Sequence, residues 1–506
     1  MNAAASSALL AVLIAAPVTG ALIAFLLPVR LRATAGILTA AATTAATAAT
    51  AWRVAADGAH RHALGGWGAP LGIDLYADGL SCVFLLMTGI VGLFVSVYAK
   101  PFFAQPEENK GATELFWPLW LILWASLNGM FLSADLFNLY VMLEVMGLSA
   151  VALAVLSGRP PALVAGLRYL LAAIAGSMAY LMGVAMIYGA VSALDLQIVA
   201  AGIEQGRSFR VAFSLILVGL LVKTAVFPLH FWLPGAHSTA QAPVSAILSA
   251  LVVKASFYLI LRLWVDVFDG SVTVAAGQAL GALGAAAIIW GSYQALRQRR
   301  LKLMVAHSTV GQIGYMFLLF PLITVVYQDV AEAPWLAHAW TGGVYQAIAH
   351  GFAKAAMFLA VGVFAMAVGS DDRDSTVGLV GQLPMTTFAL ALAGVSLIGL
   401  PPSGGFVAKW MLLKAAFTSG QWWWAPVILL GSFLTAGYVF MVLRQAFAPT
   451  SHKIKLKPVP RTMEVTALVL GAAAIIIGFR AEEFLLLLDV EAAFQEPVEP
   501  HRANDR

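Results

Sequence analysis

The stretch Leu220-Leu221-Val222-Lys223-Thr224-Ala225-Val226-Phe227-Pro228-Leu229-His230-Phe231-Trp232-Leu233-Pro234 places one lysine inside an apolar run and follows it with a proline. A lysine at mid-bilayer costs about 2.5–3.5 kcal/mol on insertion scales, so it usually has a partner or a wet cavity. Pro228 has no N–H and leaves the Thr224 carbonyl without its helical donor. At membrane depth a freed carbonyl needs protein or water beside it. The pairing of lysine and helix break returns in Ile398-Gly399-Leu400-Pro401-Pro402-Ser403-Gly404-Gly405-Phe406-Val407-Ala408-Lys409. Interrupted apolar segments at matching places in two halves point to inverted repeats with ion sites near the midplane.

Composition agrees with a chain in lipid. Its 506 residues would make about three soluble domains at roughly 150 residues each. Yet 61% are hydrophobic and 11% charged, against about 45–50% and about 25% in a soluble domain. The net charge of +4 comes from 29 basic and 25 acidic residues, mostly in short loops. It offers no concentrated basic face for nucleic acid. The single Cys82 excludes an internal disulfide or a cysteine-ligated cluster within this chain. The first apolar stretch, Leu9 to Leu27, is long enough to span and lacks the basic flank of a secretory signal.

Segments of about 20 apolar residues recur fourteen times between 8 and 487, those at 211–232 and 385–416 being interrupted by proline. The expected fold is an all-α integral membrane bundle with two inverted five-helix repeats containing broken helices. Residues 1-113 form an N-terminal three-helix segment, 114-266 the first repeat, 267-446 the second, and 447-506 the last span and a polar tail. The Ala/Thr pattern at 33–51 reads as a small-residue packing face, and the tail from Glu491 as disordered. The most basic loops hold Arg297, Arg299, Arg300 and Lys302, then Arg444, Lys453, Lys455, Lys457 and Arg461. They fall on one side of the count, with Arg30, Arg32 and Arg159. Asp266, Asp269, Asp329 and Glu332 fall on the other, as do Arg207 and Arg210. Cytoplasmic loops are enriched in Lys and Arg, so both termini are expected outside.

Further charges fall inside the expected spans. Glu144 lies nine residues beyond Asp135, about 13 Å along a helix axis. If Asp135 marks the surface, Glu144 is near mid-membrane, paired with lysine across a polar channel or with an arginine such as Arg168 for packing alone. Lys254 and Lys354 are apolar-flanked on both sides, and His350 shares a helix face with Lys354 four residues away. Lys100, Lys414 and Arg168 fit snorkelling from span ends. His307 stands in Val305-Ala306-His307-Ser308-Thr309 as a proton carrier or a core histidine. His237 reads as a loop residue that satisfies backbone. No phosphate loop, dinucleotide fingerprint or His-Glu-x-x-His motif is present, so no cofactor or metal is expected and ion movement remains.

These residues resemble a known family: the antiporter-like membrane subunits shared by respiratory complex I, membrane-bound hydrogenases and Mrp-type cation/proton antiporters. The matching stretches are Asp135 to Glu144, Val222 to His237, Ala242-Pro243-Val244-Ser245 to Lys254, Leu301 to Gly314, Ala349-His350-Gly351-Phe352-Ala353-Lys354, and Gly399 to Trp410. The resemblance implies fourteen helices, with spans four to eight and nine to thirteen as the repeats, and a hydrated polar axis in the membrane plane. It assigns Glu144 and Lys223 to an input-side ion pair, Lys254 with His307 or Lys354 to a central relay, and Lys409 to the terminal group. His350 joins the relay, with Asp135, Arg168, His230, Pro228, Pro401 and Pro402 supporting. Lysine at 409, the chain length and Gly65-Gly66-Trp67-Gly68-Ala69-Pro70 are closest to the Mrp D subunit. Arg168 before Tyr169 and His307 before Ser308 depart from the commoner Lys-Tyr and Ala-Tyr-Ser-Ser.

The implied function is proton translocation within a multisubunit Na⁺ or K⁺/proton antiporter of the bacterial inner membrane, with other membrane subunits as partners. An alternative is the cofactor-free proton-pumping subunit of an NADH-quinone oxidoreductase or membrane-bound hydrogenase. A third is a subunit coupling a proton gradient to inorganic-carbon uptake. A purely structural scaffold is disfavoured by the row of intramembrane lysines.

Overall fold

The computed structural model describes residues 3–104, 112–203, 206–324, 335–449 and 456–488. Asp329, Glu332, Lys453, Lys455 and the tail from Glu491 lie outside them. The chain is nearly all helical. In order come α1 (Ala3–Leu26), α2 (Val29–Asp57), α3 (Gly79–Phe103), α4 (Ala112–Leu132), α5 (Leu136–Ala154), α6 (Pro160–Val191) and the short α7 (Leu196–Gly202). Then follow α8 (Arg207–Thr224), α9 (Leu233–Thr239), α10 (Ala242–Val267), α11 (Val274–Arg297), α12 (Leu301–Ile323) and α13 (Trp335–Val368). The broken pair α14 (Pro384–Ile398) and α15 (Gly404–Thr418), α16 (Trp424–Phe447), α17 (Arg461–Phe479) and α18 (Ala481–Leu488) complete the chain. Among the described residues, eleven helices are long and apolar enough to cross a membrane. The other expected spans correspond to α2, to α8 with the broken stretch up to Trp232, and to α14 with α15, which are too polar or too short to count alone.

Alanine-rich α2 is helical because alanine is the best helix former. Its threonines stay compatible with a bundle by turning hydroxyls onto carbonyls: Thr44 Oγ1 donates to Ala40 (2.8 Å) and lies 2.9 Å from the Gly89 carbonyl of α3. Small residues also set the closest crossings. Gly176 of α6 meets Gly219 of α8, and Gly284 of α11 meets Gly314 of α12, each so closely that a Cβ would strike backbone. One face carries a two-stranded antiparallel hairpin, β1 (His60–Ala63) and β2 (Asp74–Ala77), with His60 opposite Ala77. Arg61 holds it by bonding Asp74 (2.7 Å), Asp195 (2.5 Å) and Gln197.

Helix α10 is buried along its length except at the half-buried Val265 and Asp266, and includes two π turns, Leu248–Val252 and Leu263–Val267. Such turns are rare and cluster at functional sites. Between them stand Lys254 and Arg262.

Candidate functional site

The two helix breaks organise the site. Helix α8 stops at Thr224, four residues before Pro228, because Ala225 takes a left-handed conformation (φ 58°). Val226 N–H then bonds the Leu221 carbonyl (3.3 Å), and the Trp232 indole donates to that of Val222 (2.9 Å). Lys223 therefore sits in the last helical turn, where the dipole favours a cation. Its Nζ donates to the Leu143 carbonyl (3.2 Å) and stands 3.4 Å from Glu144 Oε1. Ser177 of α6 donates its hydroxyl to the same carboxylate oxygen. Lys223 is buried while the Glu144 side chain is 25% exposed. Glu144 is thus paired with Lys223. Arg168 lies exposed on the outer flank of α6, away from that pair.

At the second break, α14 ends at Ile398, with Gly399 at φ 86°. A left-handed residue suits glycine, which has no Cβ to clash. Lys409 reaches back from α15 to the carbonyls left open there, Leu397 (2.8 Å) and Ile398 (3.1 Å). It also donates to Ser432 Oγ (3.1 Å) and lies 4.1 Å from the Tyr315 ring centroid. Pro401 and Pro402 occupy the break itself.

Between the breaks lie two fully buried lysines. Lys254 follows the first π turn and donates to the Ser249 carbonyl, while Ser249 Oγ is 2.9 Å from Thr309 Oγ1 of α12. Lys354 of α13 donates to the Val305 carbonyl (3.0 Å) and to Ser308 Oγ, both on α12. One face of α13 presents Gln346, His350 and Lys354 at four-residue spacing to Ser308 and Gln312 of α12. Gln346 donates to Gln312 (3.0 Å), and Gln312 to the Leu397 carbonyl (3.1 Å) that also receives Lys409. A polar seam thus joins the central lysines to the second break. His350 is buried within electrostatic reach of Lys254, Lys354 and Lys409, and neither ring nitrogen has a hydrogen-bond partner among the described residues.

His307 is placed elsewhere. Its neighbour Ser308 faces Lys354, and a step of one residue turns a side chain about 100° around a helix. His307 instead lies within electrostatic reach of His230, whose ring stacks on Phe227 at 5.4 Å. Asp135 caps α5 by accepting from Asn138 N–H (2.7 Å) at the hairpin face. Burial raises its carboxyl above the usual value despite that bond.

Two features escaped sequence reasoning. His237 is not a loop residue bonded to backbone. It is fully buried on α9, stacked on Phe358 at 5.1 Å, with both ring nitrogens lacking a hydrogen-bond partner among the described residues. It lies within electrostatic reach of Lys254 and Lys354. The second is a buried cluster around Arg262, whose guanidinium grips Asp78 through two bonds (2.6 and 2.7 Å) and Asp266 (2.8 Å), with Ser81 and Tyr258 completing the shell. The available signal was Asp266, four residues after an arginine inside a span. On the opposite, basic face a cavity of about 630 Å³ opens beside α9, lined by Arg159, Ser238, Gln241, Arg300, Lys302 and Asp371 among others.

Residues 133–435 match the family described as "NADH:quinone oxidoreductase/Mrp antiporter, TM". The chain is 33% identical over 445 residues to the N subunit of the NADH-quinone oxidoreductase from Desulforudis audaxviator, covering 84% of this chain and 85% of that one. It is 30% identical over 426 residues to the D subunit of the Na⁺/H⁺ antiporter from Alkalihalophilus pseudofirmus, covering 83% of each. Its fold is similar to a chain in the structure of the Mrp complex from Dietzia sp. DQ12-45-1b, with a TM-score of 0.85, 26% identity, and coverage of 96% of this chain and 97% of that chain.

Proposed function

This chain belongs to the NADH:quinone oxidoreductase/Mrp antiporter transmembrane family, and we propose that it is the proton-translocating subunit of a multisubunit Na⁺ or K⁺/proton antiporter. The observation that carries this reading is the row Lys223, Lys254, Lys354 and Lys409, buried and resting largely on carbonyl and hydroxyl oxygens. Only Lys223 has a carboxylate within 4.0 Å among the described residues. Neutral dipoles hold a cation without neutralising it, so each charge remains visible to the next. Two unit charges 4 Å apart interact by about 4 kcal/mol at an effective dielectric of 20, and proportionately less at longer range. A proton gained at one site therefore lowers its neighbour's hold on another. Glu144 with Lys223 takes the input end, Lys254, His350 and Lys354 the centre, and Lys409 the terminal end. His307 with His230 forms a side branch beside the first break.

Residues 114-266 and 267-446 act in this reading as inverted repeats, each contributing one broken passage with a lysine at its break. Fourteen passages, both termini outside and a bacterial inner membrane go with it. They are supported by the broken passages and by the shared face of Arg297 to Lys302 and Lys457 to Arg461. Its partners are other membrane subunits, with protons and Na⁺ or K⁺ as the transported ions. The 33% identity to an oxidoreductase N subunit favours one second reading, in which the same row is driven by a redox arm.

In everted vesicles holding the full assembly, Glu144→Ala and Lys223→Ala are expected to assemble and lose cation-driven proton exchange. Full transport in both variants would overturn the relay. Mild-detergent purification separates the two readings: small hydrophobic partners without flavin or iron–sulfur absorbance support the antiporter, and a flavin-bearing peripheral arm supports the redox complex.

A further inference from the structure

The outer flank of α6 exposes Leu163, Val164, Leu167 and Leu171, a stripe suited to lipid. Arg168 stands in the middle of it, exposed, without an ion pair or hydrogen bond to any described residue. A charge in a lipid-facing stripe is costly unless something answers it. Arg168 lies eight residues after Pro160, the first residue of α6, about 12 Å of helix rise from the basic face. From that depth an arginine stem can snorkel toward the headgroup layer.

Beside Arg168 is a recess of about 440 Å³ between α6 and α9, lined by Pro161, Val164, Phe231, Trp232 and Gly235 among others. Its walls are held in place. Trp232 stacks on Tyr169 at 4.1 Å with planes 5° apart, and its indole N–H is tied to Val222. Phe231 is 61% exposed at the rim. The positive end of the α6 dipole lies at the same end of the helix, which favours an anion there.

We propose that this recess seats the headgroup of an anionic phospholipid, its phosphate held by Arg168. Guanidinium and phosphate form paired, charge-assisted hydrogen bonds, and basic pockets between spanning helices on the cytoplasmic side suit such headgroups. The recess is larger than one carboxylate side chain from a neighbouring helix would fill, and the Leu/Val stripe around it offers that helix no polar complement. A phosphodiester with its glycerol and acyl chains matches both the cation and the apolar surround. The seat touches Gly235 and Thr239 of α9, so an occupied seat braces the short helix that carries His237.

The test uses the full assembly that holds this chain, purified in mild detergent from bilayers of phosphatidylglycerol in phosphatidylcholine, with retained lipid and subunits counted by native mass spectrometry. The native chain is expected to keep phosphatidylglycerol over phosphatidylcholine. Arg168→Gln lowers that retention at least fivefold. Arg30→Gln, an equal charge loss at another exposed arginine predicted on the same face, leaves it unchanged. Val164→Trp fills the recess without changing charge and also expels the lipid, which keeps the test open if Arg168→Gln folds poorly. Equal retention in the native chain, Arg168→Gln and Val164→Trp would sink the proposal. So would displacement of the lipid by millimolar inorganic phosphate, which would mark a free-anion site. Loss of a neighbouring subunit from Arg168→Gln with lipid retention intact would likewise refute it, by placing protein over Arg168.

Discussion

Asp78→Ala should loosen the end of the bundle where α3 meets α10. The Arg262 guanidinium is buried and spends two bonds of 2.6 and 2.7 Å on Asp78. Removing one partner of a buried ion pair costs about 3–5 kcal/mol when the other charge is left alone; Asp266 stays bonded to Arg262 at 2.8 Å, which puts the loss at the lower end. At about 1.4 kcal/mol per tenfold, a loss of about 3 kcal/mol makes local opening roughly a hundredfold more frequent. Cys82, the chain's one cysteine, is fully buried one turn beyond Asp78 on the same helix. Its reaction rate with a thiol reagent, in membranes holding the full assembly, reads that opening directly. Labelling should accelerate at least a hundredfold. Asp266→Asn, which leaves the double bond to Asp78 intact, should lose about 1.5–3 kcal/mol. The triple variant Asp78→Ser/Arg262→Met/Asp266→Leu should return most of the protection, since no charge is left to solvate. Labelling of Asp78→Ala within threefold of the native rate would refute the reasoning.

Other outcomes follow from single contacts. In Gly405→Ala the new Cβ meets the Ser396 carbonyl across the second break. Overpacking against backbone should cost about 1–3 kcal/mol, read as a lower melting temperature. Lys409→Gln keeps a donor for Leu397 but has no proton to give. The assembly should form, with transport at least tenfold lower, about 1.4 kcal/mol of barrier. Asp135 is raised by burial. Its contribution to stability is therefore full below the unfolded value near ~3.9 and is lost as pH rises from there through the folded value. Asp135→Asn keeps the cap acceptor, so in melts at pH 7 it should equal or exceed the native chain, whereas Asp135→Ala should lose about 1 kcal/mol.

What could be read from sequence was local. Lys223 before Pro228 and Lys409 after Pro402 announce themselves because lysine and break lie within two turns of one another, and Lys409 does rest on the carbonyls its break leaves open, whereas Lys223 reaches across to Leu143 in the body of α5. Residues whose partners come from far along the chain were harder. Arg262 finds Asp78 184 residues away, and no spacing rule spans that. His237 looked like a loop residue because Pro234 and Gly235 precede it, but α9 folds into the bundle and buries it within electrostatic reach of Lys254 and Lys354. On α12, which of two adjacent residues, His307 or Ser308, turns toward Lys354 depends on helix azimuth, which sequence spacing leaves open until a partner helix is placed. Arg168 shows the same limit on α6: Ser177 of that helix turns toward Glu144 and the arginine turns outward.

The π turns of α10 bear on how this chain should be aligned with its relatives. Each holds one residue more than an α turn would, so a relative lacking that residue closes the turn as ordinary helix. An α-helix rotates about 100° per residue. A one-residue gap inside Leu248–Val252 is therefore absorbed by the turn and leaves Lys254 and Arg262 aimed as they are. The same gap between Val253 and Leu261 has no such reservoir and would swing one of the two charges off its partner. Insertions and deletions in this helix are thus not equivalent, and homologous positions on either side of a π turn are better matched by what their side chains face than by counting residues.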